Sequence, residues 1–316
     1  MVHIAIAGTG RVGQGVAYTL VFEKYVEKLT LIDTAPRVAE MVKEDLNHAI
    51  AAHGFDMELE SFSHSKYIQD ADLIVVAAGL PRPQQIPPGM TRRDLANENA
   101  RAIHDVVTNS LDGNPRAWYF VITNPVDALS TLAYRLTNSK RKVVGTGTNL
   151  ETCRFRTALS RELGVPMRLI EAFVGGEHGQ ASVPLWSTVR IDSLTLDEYL
   201  NDKNKTIDKE KVVSYIRNIS MDIISTLKGT RWGPAGSFLE IIRGIILNTG
   251  RLTSYAIPRK FDEIPEPVHV TVPGRISRSF GFDLWDMLTQ EEQKAIVRAA
   301  KEIFETYKIT QAVISV

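Results

Sequence analysis

The chain has 316 residues, about two domains' worth at the usual size of roughly 100 to 200 residues each, and can bury a sizeable core. Lysine and arginine total 37, as do aspartate and glutamate, so the net charge is zero with histidine neutral; this excludes long-range steering of the whole molecule onto nucleic acid or an anionic membrane and leaves room for a local cationic pocket. Hydrophobic residues at 44% with 23% charged exclude intrinsic disorder, and the single cysteine, Cys153, excludes an intrachain disulfide framework and a cysteine-rich zinc site.

Residues 2–7 are an apolar, β-branched run that stops at Gly8. Residues 11–27 then carry apolar side chains at helical spacing (Val12, Val16, Leu20), and a second apolar run at 29–32 ends in Asp33. This reads as strand, helix, strand. The alternation continues with a helix over 37–52, a buried strand at 73–78, a helix over 94–110 and strands at 118–122 and 142–144. Such a pattern predicts a doubly wound parallel sheet with helices on both faces, an α/β domain over residues 1–146. Residues 147–316 read as a mixed α+β domain: a helix over 151–163, extended runs at 168–174 and 183–191, helices near 209–227 and 235–247, short strands near 252–256 and 268–272, and a closing helix over 290–307. The proline-rich stretch 81–88 predicts a surface loop directly after a strand, and the mixed-charge stretch 197–211 a solvated loop leading into a helix. The longest apolar runs fall far below the roughly 18 residues that a spanning helix needs. The expectation is a soluble, cytoplasmic protein with no membrane and no nucleic-acid partner.

The chemistry-bearing residues fall into three groups. Gly8, Thr9, Gly10, Arg11, Val12 and Gly13 match GxGxxG, a weak signal as a string. Its context strengthens it, because it follows a strand, opens a helix and lies 20 residues before Asp33. The glycines let backbone approach a pyrophosphate, and Asp33 would accept from both ribose hydroxyls and repel a 2′-phosphate, so the cofactor expected is NAD rather than NADP. Asn124 follows the strand that ends at Ile122, where an open α/β sheet binds ligands; its alternative is a turn residue satisfying local backbone. His178 follows an extended run and lies among glycines, Gly175, Gly176 and Gly179, that would allow close approach of a ligand, and a carboxylate partner would hold its tautomer for acid-base work; the other six histidines are assigned to the surface or to satisfied packing. Arg82, Arg92 and Arg154 are candidate anion clamps, each individually read as surface charge unless they converge. Tyr199 with Lys203 and Ser187 suggests another dehydrogenase triad and is rejected, since the tyrosine falls in the charged stretch.

Taken in order, GTGRVG, Asp33, PGMTRRDL, ITNPVD, LETCRFR and GGEHGQASVPLWS resemble the lactate/malate dehydrogenase superfamily over nearly the full length. The resemblance implies a Rossmann domain followed by a mixed α+β substrate domain, with hydride passing between nicotinamide and C2 of a 2-hydroxy or 2-oxo acid. It implies that His178 is the proton donor and acceptor, Arg154 the clamp on the substrate C1 carboxylate, Arg92 the loop arginine polarising the reacting carbonyl, and Asn124 a substrate ligand bordering the nicotinamide. Ala78, Gly79, Asn99 and Ile122 join the cofactor set, and Thr230 becomes the substrate-wall residue. Two departures follow. Glu151 stands where the family usually has the aspartate partner of the histidine, with one more methylene, about 1.5 Å of extra reach. Residues 84–87 are inserted between Arg82 and Arg92, so Arg82 aligns from one side as the residue for a second carboxylate, and Ile86 from the other. Malate/oxaloacetate is the favoured substrate pair, lactate or another 2-hydroxy acid the alternative, and an NAD-dependent glycosidase or a non-catalytic NAD sensor the distant ones. No metal is expected, and a homo-oligomer is, a tetramer before a dimer.

Overall fold

A computed structural model of the chain describes residues 2–80 and 92–314, apart from the side chains of residues 92–95. The proline-rich stretch 81–88, with Arg82, lies outside the described residues, as does the side chain of Arg92. In chain order the first half forms β1 (His3–Ala7), α1 (Arg11–Leu20), β2 (Lys28–Ile32), α2 (Pro36–His53), β3 (Glu58–Phe62), β4 (Leu73–Val76), α3 (Arg92–Ser110), β5 (Trp118–Val121), α4 (Val126–Leu136) and β6 (Val143–Gly145). The second half forms α5 (Asn149–Leu163), β7 (Ile170–Gly176), β8 (Ser182–Ile191), β9 (Leu194–Thr195), α6 (Leu196–Lys203), α7 (Lys209–Leu227), α8 (Trp232–Leu247), β10 (Arg251–Thr253), β11 (Ala256–Arg259), β12 (Val268–Thr271), β13 (Gly274–Ile276) and α9 (Gln290–Ile314).

The first six strands run parallel in the order β3-β2-β1-β4-β5-β6, so the winding reverses between β1 and β4. The sheet continues antiparallel through β11, β12, β7, β8 and β9, joined to β6 where Ala256 faces Gly145. Strands buried on both faces read as unbroken apolar runs, as β1, β4 and β5 do. Under one face lie Val16 and Leu20 of α1, Leu46 and Ile50 of α2, and Phe238, Ile241 and Ile245 of α8. Under the other lie Ile103 and Val107 of α3, Leu129 and Leu132 of α4, and Tyr307 of α9. Helices from the second half therefore seal both faces of the first half's sheet, each fully buried large side chain contributing about 1.5–3 kcal/mol of transfer free energy.

Among the elements that differ from the sequence expectation, four do so for a clear physical reason. Helix α1 stops at Leu20 rather than near residue 27, because the chain turns to seat Phe22 against His53 and Phe55 and to bury Val26 before β2. Strand β3 is an edge strand whose Glu58 and Glu60 pair with Lys28, at 2.7 and 3.0 Å, so it lacks an apolar signature. Helix α4 is buried from Val126 through Ala133, which erases the polar face that periodicity detects. The charged stretch 197–211 is corrected from a loop. It holds most of α6, closed at Thr195 by a capping box with Glu198, and Leu196 and Tyr199 turn into the core.

The turn after β1 depends on Gly8, whose φ of +103° suits glycine and whose added Cβ would lie 2.5 Å from the Ala77 carbonyl carbon. Gly8→Ala is expected to destabilise the protein by about 3 kcal/mol, read from urea unfolding midpoints.

Candidate active site

The turns after β1, β4, β5 and β6 emerge at one edge of the parallel sheet, its carboxyl edge, where open α/β folds bind ligands. On the β1–β2 side, Thr9 donates its N–H and its hydroxyl to Asp33 Oδ2 at 3.0 and 2.8 Å, and the Ala35 N–H donates to Oδ1 at 3.0 Å. The carboxylate is thereby fixed in orientation. Gly13 lets α1 close onto the turn, its ideal Cβ falling 2.0 Å from Gly8 O, whereas a Cβ at Gly10 would meet nothing within 4 Å. Gly10 also brings no side-chain cap to α1, so the first-turn N–H groups take no hydrogen bond from an N-cap side chain. These residues fit a dinucleotide: uncapped donors for a pyrophosphate, unobstructed approach at Gly10 and a fixed carboxylate at the end of β2. The backbone of Arg11 and Val12 belongs to this turn. The Arg11 side chain reaches away to donate to Leu227 O at 3.0 Å, and Val12 packs on the core.

Asn99 of α3 lies beneath the same edge, 2% exposed. Its Oδ1 accepts the Leu80 N–H and its Nδ2 donates to Asn124 O, both at 2.7 Å, so it ties the Ala78–Gly79 turn to the turn that follows Ile122. Asn124 itself is half-buried and forms a cis peptide with Pro125.

Across the edge, α5 starts immediately after β6 and presents Glu151 and Arg154 one turn apart on a common face. Glu151 Oε1 accepts from Arg154 Nη1 at 3.0 Å, and Oε2 lies 3.0 Å from His178 Nδ1. The three side chains are 5%, 12% and 20% exposed, which makes this a largely buried cluster of one carboxylate, one guanidinium and one imidazole. Burial alone would push the Glu151 carboxyl up, but the charge and hydrogen bond of His178 and the charge of Arg154 outweigh it and hold it below the usual range. Burial alone would push His178 down, but the charge and hydrogen bond of Glu151, then the charge of Asp127, raise it, against Arg154. The extra methylene of glutamate is thus accommodated by bridging: one oxygen serves each partner.

A buried hydroxyl network fixes the separation of α5 from β7, the strand that delivers His178. Thr148 Oγ1 donates to Val174 O at 2.5 Å, Val174 N donates to Thr152 Oγ1 at 2.9 Å, and Ser254 Oγ donates to Val174 O at 3.0 Å. Asn149 is gripped by Thr253 and Ser237. Gly175 and Gly176, expected to admit a ligand, admit protein instead. Their added Cβ atoms would meet Ile296 at 3.0 Å and Ala181 O at 2.7 Å. Gly179 is the glycine beside His178 that faces open space, its nearest neighbour being Glu177 at 3.8 Å. Thr230 is half-buried in the α7–α8 turn, which borders the start of α5 where Gly233 approaches Leu150.

The structure brings His178, Glu151 and Arg154 into one cluster, and to it adds Asp127, which has no role in the sequence reading. That acid is 2% exposed, accepts the His178 N–H, and is pushed up to about 7, by burial first and by the Glu177 and Glu151 charges next, against His178. A lone acid in an apolar helix start was the signal available. Among the described residues no three His, Cys, Asp or Glu side chains gather as a metal set, and no helix is long and apolar enough to cross a membrane.

A dinucleotide turn beside a buried histidine, carboxylate and arginine defines an NAD-dependent oxidoreductase acting on a small acid. The chain belongs to the lactate/malate dehydrogenase family: residues 2–145 match its NAD binding domain and residues 148–312 its alpha/beta C-terminal domain. It is 34% identical to a malate dehydrogenase of Sulfolobus acidocaldarius, over 98% of this chain and 96% of that one, and 30% identical to an L-lactate dehydrogenase 2 of Bacillus cereus, over 96% of each. Among solved structures it resembles an Archaeoglobus fulgidus malate dehydrogenase in complex with NADH, at a TM-score of 0.85 and 25% identity over 98% of this chain and 99% of that one. It also resembles a lactate dehydrogenase from a Medee basin deep-sea metagenome library, at a TM-score of 0.89 with the same identity and coverage.

The cluster has a pH signature. The lowered Glu151 adds stability that is present above the ordinary carboxylate pKa and is lost as pH falls through the folded value. The raised His178 adds stability that is present below the ordinary histidine pKa and is lost as pH rises through its folded value. The stability deficit of Glu151→Gln, measured by thermal unfolding across pH, is expected to be largest between about pH 4.5 and 6.5, reaching about 3 kcal/mol, and to shrink on either side.

Proposed function

We propose that this chain is an NAD-dependent malate dehydrogenase, interconverting malate and oxaloacetate. The observation that carries the reading is the Glu151 carboxylate held at 3.0 Å from both His178 and Arg154, at the sheet edge that also carries the dinucleotide turn. NAD, when bound, supplies a two-electron acceptor for the hydrogen on substrate C2. Gly8, Thr9, Gly10, Arg11, Val12, Gly13 and Asp33 hold it, Ala78, Gly79 and Ile122 line it, and Asn99 serves it by holding the turns at Leu80 and Asn124.

Because Nδ1 faces Glu151, the neutral imidazole carries its proton there and offers the Nε2 lone pair. In malate oxidation Nε2 takes the hydroxyl proton, and Glu151 stabilises the imidazolium that results. In oxaloacetate reduction Nε2 returns that proton to the carbonyl oxygen. Arg154 meets the C1 carboxylate, since one bond to Glu151 leaves further guanidinium donors. Arg92 and Asn124 meet the reacting oxygen, Thr230 borders the substrate, and Arg82 meets the second carboxylate.

Lactate oxidation is the second reading, favoured by the inserted residues 84–87 and by the L-lactate dehydrogenases among the relatives. We also infer a division into cofactor and substrate domains near residue 146, a cytoplasmic location, and a homo-oligomer, with a tetramer before a dimer. Association of copies, without regard to their number, is supported by a cleft of about 560 Å³ between α1, α2 and α8 rimmed by exposed Tyr18, Met41 and Trp232. NADH oxidation with oxaloacetate, pyruvate and 2-oxoglutarate side by side tests the substrate. The kcat/KM for oxaloacetate is expected to exceed that for pyruvate by about a hundredfold, because a monocarboxylate leaves the arginine for the second carboxylate without its partner. A preference for pyruvate overturns the malate reading, and inertness toward all three overturns the dehydrogenase.

A further inference from the structure

Asp127 lies three residues after Asn124, in the first turn of α4, where every residue from 126 to 133 is buried. Its Oδ2 accepts the His178 backbone N–H at 2.7 Å. Its Oδ1 is buried and, among the described residues, has no hydrogen-bond partner. A buried acid with one oxygen unmatched is destabilising, so packing does not account for it.

Among the described residues the charged neighbours of the pair are few. Glu151 and Arg154 come from α5, and Glu177 from the residue before His178. On β12, which packs against α4, His269 is wholly buried with Nε2 3.0 Å from Val143 O, and burial pushes it down to about 3, so it brings no charge near neutral pH. Two carboxylates therefore hold His178 from different ends, Glu151 at the ring and Asp127 at the main chain.

We propose that Asp127 is a second positioning carboxylate of His178, fixing its backbone relative to Asn124 and adding a negative charge to that of Glu151 when the imidazolium forms. This rests on His178 being the proton-transfer group. The unmatched Oδ1 has a role on this reading: it is the atom that carries a proton when the acid is neutral, while Oδ2 goes on accepting from His178. The hydrogen bond persists and only the charge switches, near pH 7, the value to which burial pushes this carboxyl. Ionised Asp127 holds the imidazolium proton more tightly, so its charge extends oxaloacetate reduction to higher pH.

The test measures the His178 ring pKa by ¹⁵N NMR in the full chain saturated with NADH, the resonance assigned with His178→Asn, together with kcat and KM for oxaloacetate against pH. In Asp127→Asn the amide keeps an oxygen for the His178 N–H and loses the charge. The ring pKa and the alkaline limb of kcat are expected to move down together by about one pH unit, the scale of a nearby opposite charge. Asp127→Ala, which also loses the hydrogen bond, is expected to lower kcat by about tenfold with KM for NADH unchanged. A ring pKa and pH profile of Asp127→Asn that match wild type overturn the proposal even if the variant melts earlier, and they decide the matter alone if the alanine variant does not fold. A shifted ring in a protein that reduces no 2-oxo acid sustains the positioning role and defeats the proposed reaction instead.

Discussion

The Glu151 carboxylate is almost fully withdrawn from water, and it faces an arginine and a histidine at once. Such a group is tolerable only while both partners stay in place, because an unpaired buried charge is destabilising by several kcal/mol. One partner sits on its own helix turn and comes with the backbone of α5. The other arrives at the end of a strand, 27 residues later in the chain. Their separation has to be held by something other than the charges themselves. Thr148, Thr152 and Ser254 do this by converging on the backbone of Val174, four residues before His178. Each such bond contributes only about 1 kcal/mol net, but together they leave α5 and β7 a single register.

The same constraint explains why the two halves interlock. Helix α8 seals one face of the parallel sheet and α9 the other, although both come from the second half of the chain. The turns for a dinucleotide and the cluster around Glu151 therefore ride on one continuous sheet, joined where Ala256 faces Gly145. A site whose parts must agree to a fraction of an ångström benefits from supports that do not slide.

Much of this was legible in the sequence because it follows from local chemistry. Parallel strands buried on both faces write unbroken apolar runs, and a glycine turn followed at the right distance by Asp33 writes its own purpose. Glu151, Arg154 and His178 were legible as a set only through the family resemblance, since the arginine alone reads as surface charge. What escaped was decided by contacts distant in the chain. Helix α4 hides its period by being buried all round, β3 offsets its acids with Lys28, and Tyr199 is pulled inward from a charged stretch. Gly175 and Gly176 looked like room for a ligand and are room for α9 and the backbone at Ala181. Asp127 has no signature beyond its charge, since its partner is a backbone N–H 51 residues away.

The length of Glu151 is what lets one carboxylate join Arg154 to His178. Glu151→Asp tests it most directly, since it keeps the charge and removes about 1.5 Å of reach. Turnover of oxaloacetate with NADH by this variant is expected to fall at least about tenfold, as one of the two contacts is lost and the imidazole or the guanidinium shifts. An aspartate enzyme that turns over at the wild-type rate would contradict it.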